Sequence, residues 1–205
     1  FFLIVILFSA VMHEYAHGLM AFLLGDETAK HEGRLTLNPI PHIDPVGTIL
    51  IPGVLFILGT GFLFGWAKPV PYNPYNLRNQ RWGPSMVGVA GPATNLLIAL
   101  VFAFIIRFVP GISTDLTVFL GIIVYANIIL GIFNLLPIPP LDGSKVLYAI
   151  LPDSLANVKY FFERYGFFIL LLLIFMGRGI LGTIILFFGF LLLGQDTSIL
   201  ILDSL

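Results

Sequence analysis

The chain of 205 residues has no cysteine, which excludes a disulfide framework and any thiolate metal site. Charge is scarce. Asp, Glu, Lys and Arg make up 10% of the residues, well below the quarter or so found in soluble domains. The net charge is −1, so no basic surface is on offer to nucleic acid. Internal repeats and low-complexity tracts are missing too. That counts against transporter architectures built from two related halves. The opening apolar stretch has neither a basic leading region nor an A-x-A exit, so it reads as a retained helix rather than a signal peptide. The first residue is Phe rather than Met, so a trimmed or partial chain is expected.

What is abundant is apolar surface: 58% of the residues are hydrophobic and the mean hydropathy is +1.01. A helix needs about 20 mostly apolar residues to cross a bilayer. Residues 1–24, 85–108 and 116–136 meet that requirement. Residues 165–194 suit one long helix or two short crossings. Residues 46–64 are apolar but interrupted by Pro52, Gly53, Gly59 and Gly61, and read as a re-entrant or partial span. The expected architecture is an all-α polytopic membrane protein, one transmembrane domain over 1–205. It is a helix bundle in a lipid bilayer with a short β-strand or re-entrant element near its site.

Within the first segment stands Met-His-Glu-Tyr-Ala-His, residues 12 to 17. A charged side chain in mid-helix is costly in a membrane, so a neutral residue should occupy such a place unless function demands otherwise. His13 and His17 are four residues apart and share a helix face, so both imidazoles can reach one Zn2+ ion. Glu14 lies beside them, placed to take a proton from a zinc-activated water. The alternative is a pair of satisfied core histidines beside a buried acid.

Two histidines leave a catalytic zinc one protein ligand short. His31 and His42, in the polar loop after the first segment, are available, and so is a carboxylate. Asp142 stands out, in Asn-Leu-Leu-Pro-Ile-Pro-Pro-Leu-Asp-Gly directly after the 116–136 segment. The prolines deny that stretch a helix, and Gly143 permits a sharp turn. Local sequence is equally consistent with Asp142 as the N-cap of a helix beginning Ser-Lys-Val-Leu-Tyr.

The motifs HEYAHG, AGPATN and NLLPIPPLDG, in this order and on hydrophobic segments, resemble the core of the site-2 protease family of intramembrane zinc metalloproteases. The likeness covers about residues 9 to 150. No PDZ-like insertion is present, so the chain is similar to the small bacterial and archaeal members. It departs from the simplest pattern in carrying the 46–64 segment and the long loop before it. The resemblance implies a peptidase with one catalytic Zn2+. Its ligands would be His13, His17 and Asp142, with Glu14 as general base and Asn134 stabilising an oxyanion or the substrate backbone. It also implies the transmembrane segment of another protein as substrate. The rival class is a non-proteolytic membrane protein that binds or transports a metal.

Topology gives a test. If 46–64, 85–108 and 116–136 all crossed, Asp142 would emerge opposite the face where the first helix ends. His17 lies about 10 Å inside that face, so the two could not share a metal. A re-entrant 46–64 restores the parity, as would an interrupted segment in the 25–44 loop. It also places Lys30, Arg34, Lys68, Arg78, Arg81, Lys145, Lys159 and Arg164 on one face and Arg107 on the other. Eight against one is a strong positive-inside bias, against six to three for full crossing, and it puts the site toward the cytoplasm.

Three further features are candidates. Trp66 to Tyr72, with Pro69 and Pro71 lacking donors on one side, reads as an edge strand. Its Lys68, Val70 and Tyr72 N–H groups could hold an extended substrate by strand addition. Asn95 on the 85–108 segment is a candidate to hold substrate or a ligand, or to bond between helices. His42 and Asp44 read as a second polar cluster or as turn and capping residues, Gly91-Pro92 as a close-packing site, and His31 as solvated.

Overall fold

The computed structural model describes residues 1–59 and 65–204, apart from the side chains of Asp153 and Arg178. Three of its helices are long and apolar enough to cross a membrane: α1 (Phe2–Leu23), α4 (Gly83–Phe108) and α5 (Thr114–Asn134). Between α1 and α4 lie a single turn, α2 (Thr28–His31), and a π-helical stretch Pro45–Leu50 that runs on into α3 (Ile51–Ile57). After α5 come α6 (Gly143–Ile150), α7 (Ala156–Met176), α8 (Arg178–Leu193) and α9 (Gln195–Leu202). The fold is all-helical, as a chain of apolar segments must be where lipid offers no partner to an open backbone.

The core is the packing of α1, α4 and α5 on one another. Small residues make the close approach: Ala99 and Ala103 of α4 are buried with Val124, Ala126 and Ile128 of α5. Membrane helices, with no hydrophobic drive to associate, depend on such contacts. The opposite faces are apolar and exposed, as with Ile4 and Phe8 of α1 and Phe104 of α4. They are the lipid-facing sides of the spans.

The 46–64 segment falls partly outside the described residues. What is described, Pro45–Ile57, is an apolar helix too short to span, about 20 Å at 1.5 Å per residue. Its start is capped by Asp44, whose Oδ1 accepts from the N–H groups of Val46 and Gly47. The capping reading of Asp44 therefore holds. The 165–194 segment begins earlier than hydropathy shows, at Ala156, because the first turns of α7 are polar, and it breaks at Gly177 into two helices.

The expected short β-strand does not form among the described residues. Trp66 to Tyr72 runs extended, but it meets helices and loops rather than another strand. The Trp66 N–H donates to the Gly47 carbonyl (3.1 Å), and the Lys68 N–H to the His42 carbonyl (2.8 Å). Two of its carbonyls, those of Lys68 and Pro69, accept from the buried Arg34 guanidinium. Prolines at 69 and 71 had already broken the donor ladder, so these tertiary bonds take its place.

Candidate metal centre

Ser9, His13 and His17 follow one another at four-residue steps along α1, on the face that also buries Val5 and Ala21. The N-terminal half of α4 lies across this face. A Cβ at Gly91 would stand 2.5 Å from His17 Nε2 and 2.7 Å from His13 Cε1. Only glycine lets α4 back the two rings. Close packing, the reading given to Gly91 from sequence, is thus packing against the site itself.

Asp142 arrives from the other side. The chain leaves α5 at Asn134, passes its proline run, and turns at Gly143, where a side chain would collide with the carbonyl oxygens of Leu135 and Leu136. Asp142 occupies the N-cap position of α6 but makes no capping bond. Its carboxylate turns instead to the histidines. Oδ2 lies 3.0 Å from Nε2 of His13 and 3.0 Å from Nε2 of His17, and the two Nε2 atoms are 2.9 Å apart. All three residues are buried.

The protons on these rings follow from their other partners. His13 Nδ1 donates to Asn95 Oδ1 (2.6 Å), and His17 Nδ1 donates to the Val87 carbonyl (2.7 Å). A carbonyl oxygen only accepts, so Nδ1 carries the proton in each ring and a neutral ring turns the Nε2 lone pair inward. Two imidazole lone pairs and a carboxylate oxygen then converge within 3.0 Å. Such an array is stable only around positive charge. Its composition suits zinc with one position left open for water. Burial opposes charge on Asp142, and the Lys145 ammonium bonded to its Oδ1 favours the carboxylate form.

Glu14 sits within the same cluster. One ligand atom each from His13, Glu14 and His17 lies within 4.8 Å of the others. Asp142 is the closer third donor, and Glu14 is engaged elsewhere: its Oε2 accepts from the Val70 N–H at 2.7 Å. Val70 is itself buried against Gly18, one turn along α1. Among the three donors read as a substrate edge, Lys68 and Val70 are thus used inside the chain, and Tyr72 N–H makes no bond among the described residues.

The remaining candidates have hydrogen-bond partners of their own. Asn134 donates to the Leu130 carbonyl on its own helix (3.0 Å). His42 is fully buried, its Nε2 bonded to the Thr36 carbonyl, and His31 is exposed beside Glu27. Asn95 Oδ1 accepts from His13 Nδ1. Two residues not singled out as site candidates belong here. Lys145 Nζ bonds Asp142 Oδ1 at 2.9 Å and lies 5.5 Å over the Tyr72 ring. Asn127, fully buried on α5, bonds Asn95. An amide among apolar neighbours in mid-span was the available signal for Asn127.

The profile of peptidase family M50 matches residues 110–174. Over 178 residues the chain is 39% identical to YwhC of Bacillus subtilis (strain 168), an alignment covering 83% of this chain and 78% of that one. The chain belongs to peptidase family M50, the site-2 proteases. Two further M50 relatives are Rip2 of Mycolicibacterium smegmatis, 30% identical, and MJ0611 of Methanocaldococcus jannaschii, 32% identical. These alignments cover 82% and 67% of this chain but 64% and 63% of the relatives' own lengths. All three bear the name "Putative zinc metalloprotease". No solved structure matches the chain. M50 membership places the chain among multi-pass membrane zinc metalloproteases, with zinc as cofactor, and the donor set described above fits that ion.

Proposed function

We propose that this M50 protein hydrolyses peptide bonds in or near the transmembrane segments of other membrane proteins. The observation that carries this reading is the convergence of His13 Nε2, His17 Nε2 and Asp142 Oδ2 within 3.0 Å, beside Glu14 and on a spanning helix. Held by these three atoms, zinc would lower the pKa of a water to about 7 and polarise the scissile carbonyl.

The residues divide the remaining work. Glu14 takes the water's proton and returns it to the leaving amine. The Val70 N–H fixes Oε2 of that carboxylate, which leaves Oε1 to the water. Lys145 holds Oδ1 of Asp142, so that Oδ2 is the atom presented to the metal. Asn95 holds His13 in its orientation. Asn134, at the end of α5, has a second amide hydrogen that makes no bond among the described residues, and we assign it to the substrate carbonyl or oxyanion. An unwound substrate lies along Trp66 to Tyr72, with the Tyr72 N–H as a backbone donor. The site opens toward the cytoplasm, on the face where α1 ends.

The test pairs zinc quantification with cleavage of a transmembrane reporter by the wild type and by Glu14→Gln. Zinc content is expected to persist in the variant while cleavage falls by about 10²-fold or more. Cleavage by the variant at the wild-type rate would refute the role of Glu14. Zinc binding with no cleavage by the wild type would favour a non-proteolytic metal-binding protein.

A further inference from the structure

Behind the metal centre, a chain of buried hydrogen bonds crosses all three core helices. Asn95 of α4 and Asn127 of α5 are each fully buried, and both reach Ser9 of α1. Asn127 Nδ2 donates to the Ile123 carbonyl (2.9 Å) and to Ser9 Oγ (2.9 Å), and Asn127 Oδ1 accepts from Asn95 Nδ2 (2.8 Å). Asn95 Nδ2 also donates to the Ser9 carbonyl (3.2 Å), and Asn95 Oδ1 accepts from His13 Nδ1 (2.6 Å).

The chain has only one direction. Its ends at Ile123 and Ser9 are backbone carbonyls, which cannot donate. Asn127 must therefore turn its NH2 toward Ile123 and its oxygen toward Asn95. Asn95 must then turn its own oxygen toward His13. His13 is left to place its proton on Nδ1, and its Nε2 lone pair faces His17 and Asp142. Flipping either amide would set oxygen against oxygen inside the bundle.

We infer that Asn127, with Ser9, is a positioning residue for the metal centre, fixing through Asn95 which nitrogen of His13 faces the metal. This rests on the reading of His13 as a zinc ligand. Hydrogen bonds between membrane helices contribute only modestly to their association, and apolar side chains of similar size would pack α4 on α5 as well. The directed chain does something packing cannot. Partners of this kind around metal-bound histidines typically change metal affinity by about 10–100-fold when lost.

The experiment uses the full chain in detergent and measures zinc affinity by competition with a chromophoric chelator. Alongside it go the absorption spectrum with Co2+ in place of zinc and the thermal stability of chelator-treated protein. Asn127→Leu is expected to weaken zinc binding about tenfold and to shift the Co2+ bands. In an Asn95→Leu background it should add less than about twofold, because residues acting through one another are not additive. Asn127→Ser, which is too short to reach Asn95, replaces the Leu variant if that fails to fold and is read the same way. Wild-type affinity in the variant, or the same loss in both backgrounds, overturns the inference and leaves Asn127 a packing residue. Wild-type protein that binds no zinc, or binds it equally well with His13→Ala, overturns the metal-site reading and this inference together. Zinc binding that needs His13 but is indifferent to Asn127 overturns this inference alone.

Discussion

At the scale of single residues, the site depends as much on an absent side chain as on those present. The methyl group of Gly91→Ala would land on both imidazoles, yet alanine favours a helix more than glycine does. The variant is expected to keep its helical circular dichroism, with some loss of melting temperature from the overpacking, while zinc affinity, read by chelator competition, falls at least about tenfold. Lys145→Met frees Asp142 Oδ1 and removes the neighbouring charge. A loss of zinc affinity is expected there too, with little change in the fold, since Lys145 is partly exposed at the start of a short helix. His13, Glu14 and His17 were legible because a helix puts their spacing on one face without help from the rest of the chain. Asp142 was legible less directly, as a carboxylate on proline-broken backbone whose alternative was a cap. Lys145 was not. In the sequence it is one of eight positive charges on a face, and only tertiary contact distinguishes it.

At the scale of elements, the extended stretch from Trp66 to Asn73 works as a strap across the end of α1. It is pinned at Val70 by Glu14 and at Asn73 by Asp26. Asp26, just beyond α1, also accepts from Thr28 and from the Asn76 side chain. Burial raises its pKa, but these hydrogen bonds prevail and hold it below the ordinary carboxylate value of 3.8. A depressed folded-state pKa means that the stabilisation is complete above the unfolded-state value and fades as pH falls through the folded one. Acid unfolding of the wild type below about pH 4 is expected to include this loss. Asp26→Asn should be less stable at neutral pH and flatter across the acid range, as measured by thermal melts from pH 3 to 7. The alternation of prolines in this stretch invited the reading of an edge strand. Pattern alone carries no information on the partner, and the acceptors turned out to be Glu14 and the His42 carbonyl rather than a ladder.

At the scale of the molecule, the end of α1 and the start of α4 meet. The Arg78 N–H donates to the Leu24 carbonyl, and the Val87 carbonyl accepts from His17. The two helices therefore run antiparallel from the same end of the bundle, the parity that the sequence required for Asp142 to reach the histidines. Cysteines placed at Lys30 and Arg78 are expected to react with an impermeant thiol reagent from the same side of sealed vesicles, and one at Arg107 from the other. Labelling of positions 30 and 78 from opposite sides would overturn this arrangement. The parity argument made the antiparallel run of α1 and α4 legible. The bond network inside the bundle was not, because Ser9, Asn95 and Asn127 are far apart in the chain and meet only when three helices pack.

That network has an evolutionary consequence. Because each amide is of use only while the next one points it, Asn95 and Asn127 form a unit of inheritance. A relative that replaced one with an apolar residue would strand the other in the bundle interior. Across M50 proteins of this size the two positions are expected to be kept or lost together, with few chains holding a single member of the pair.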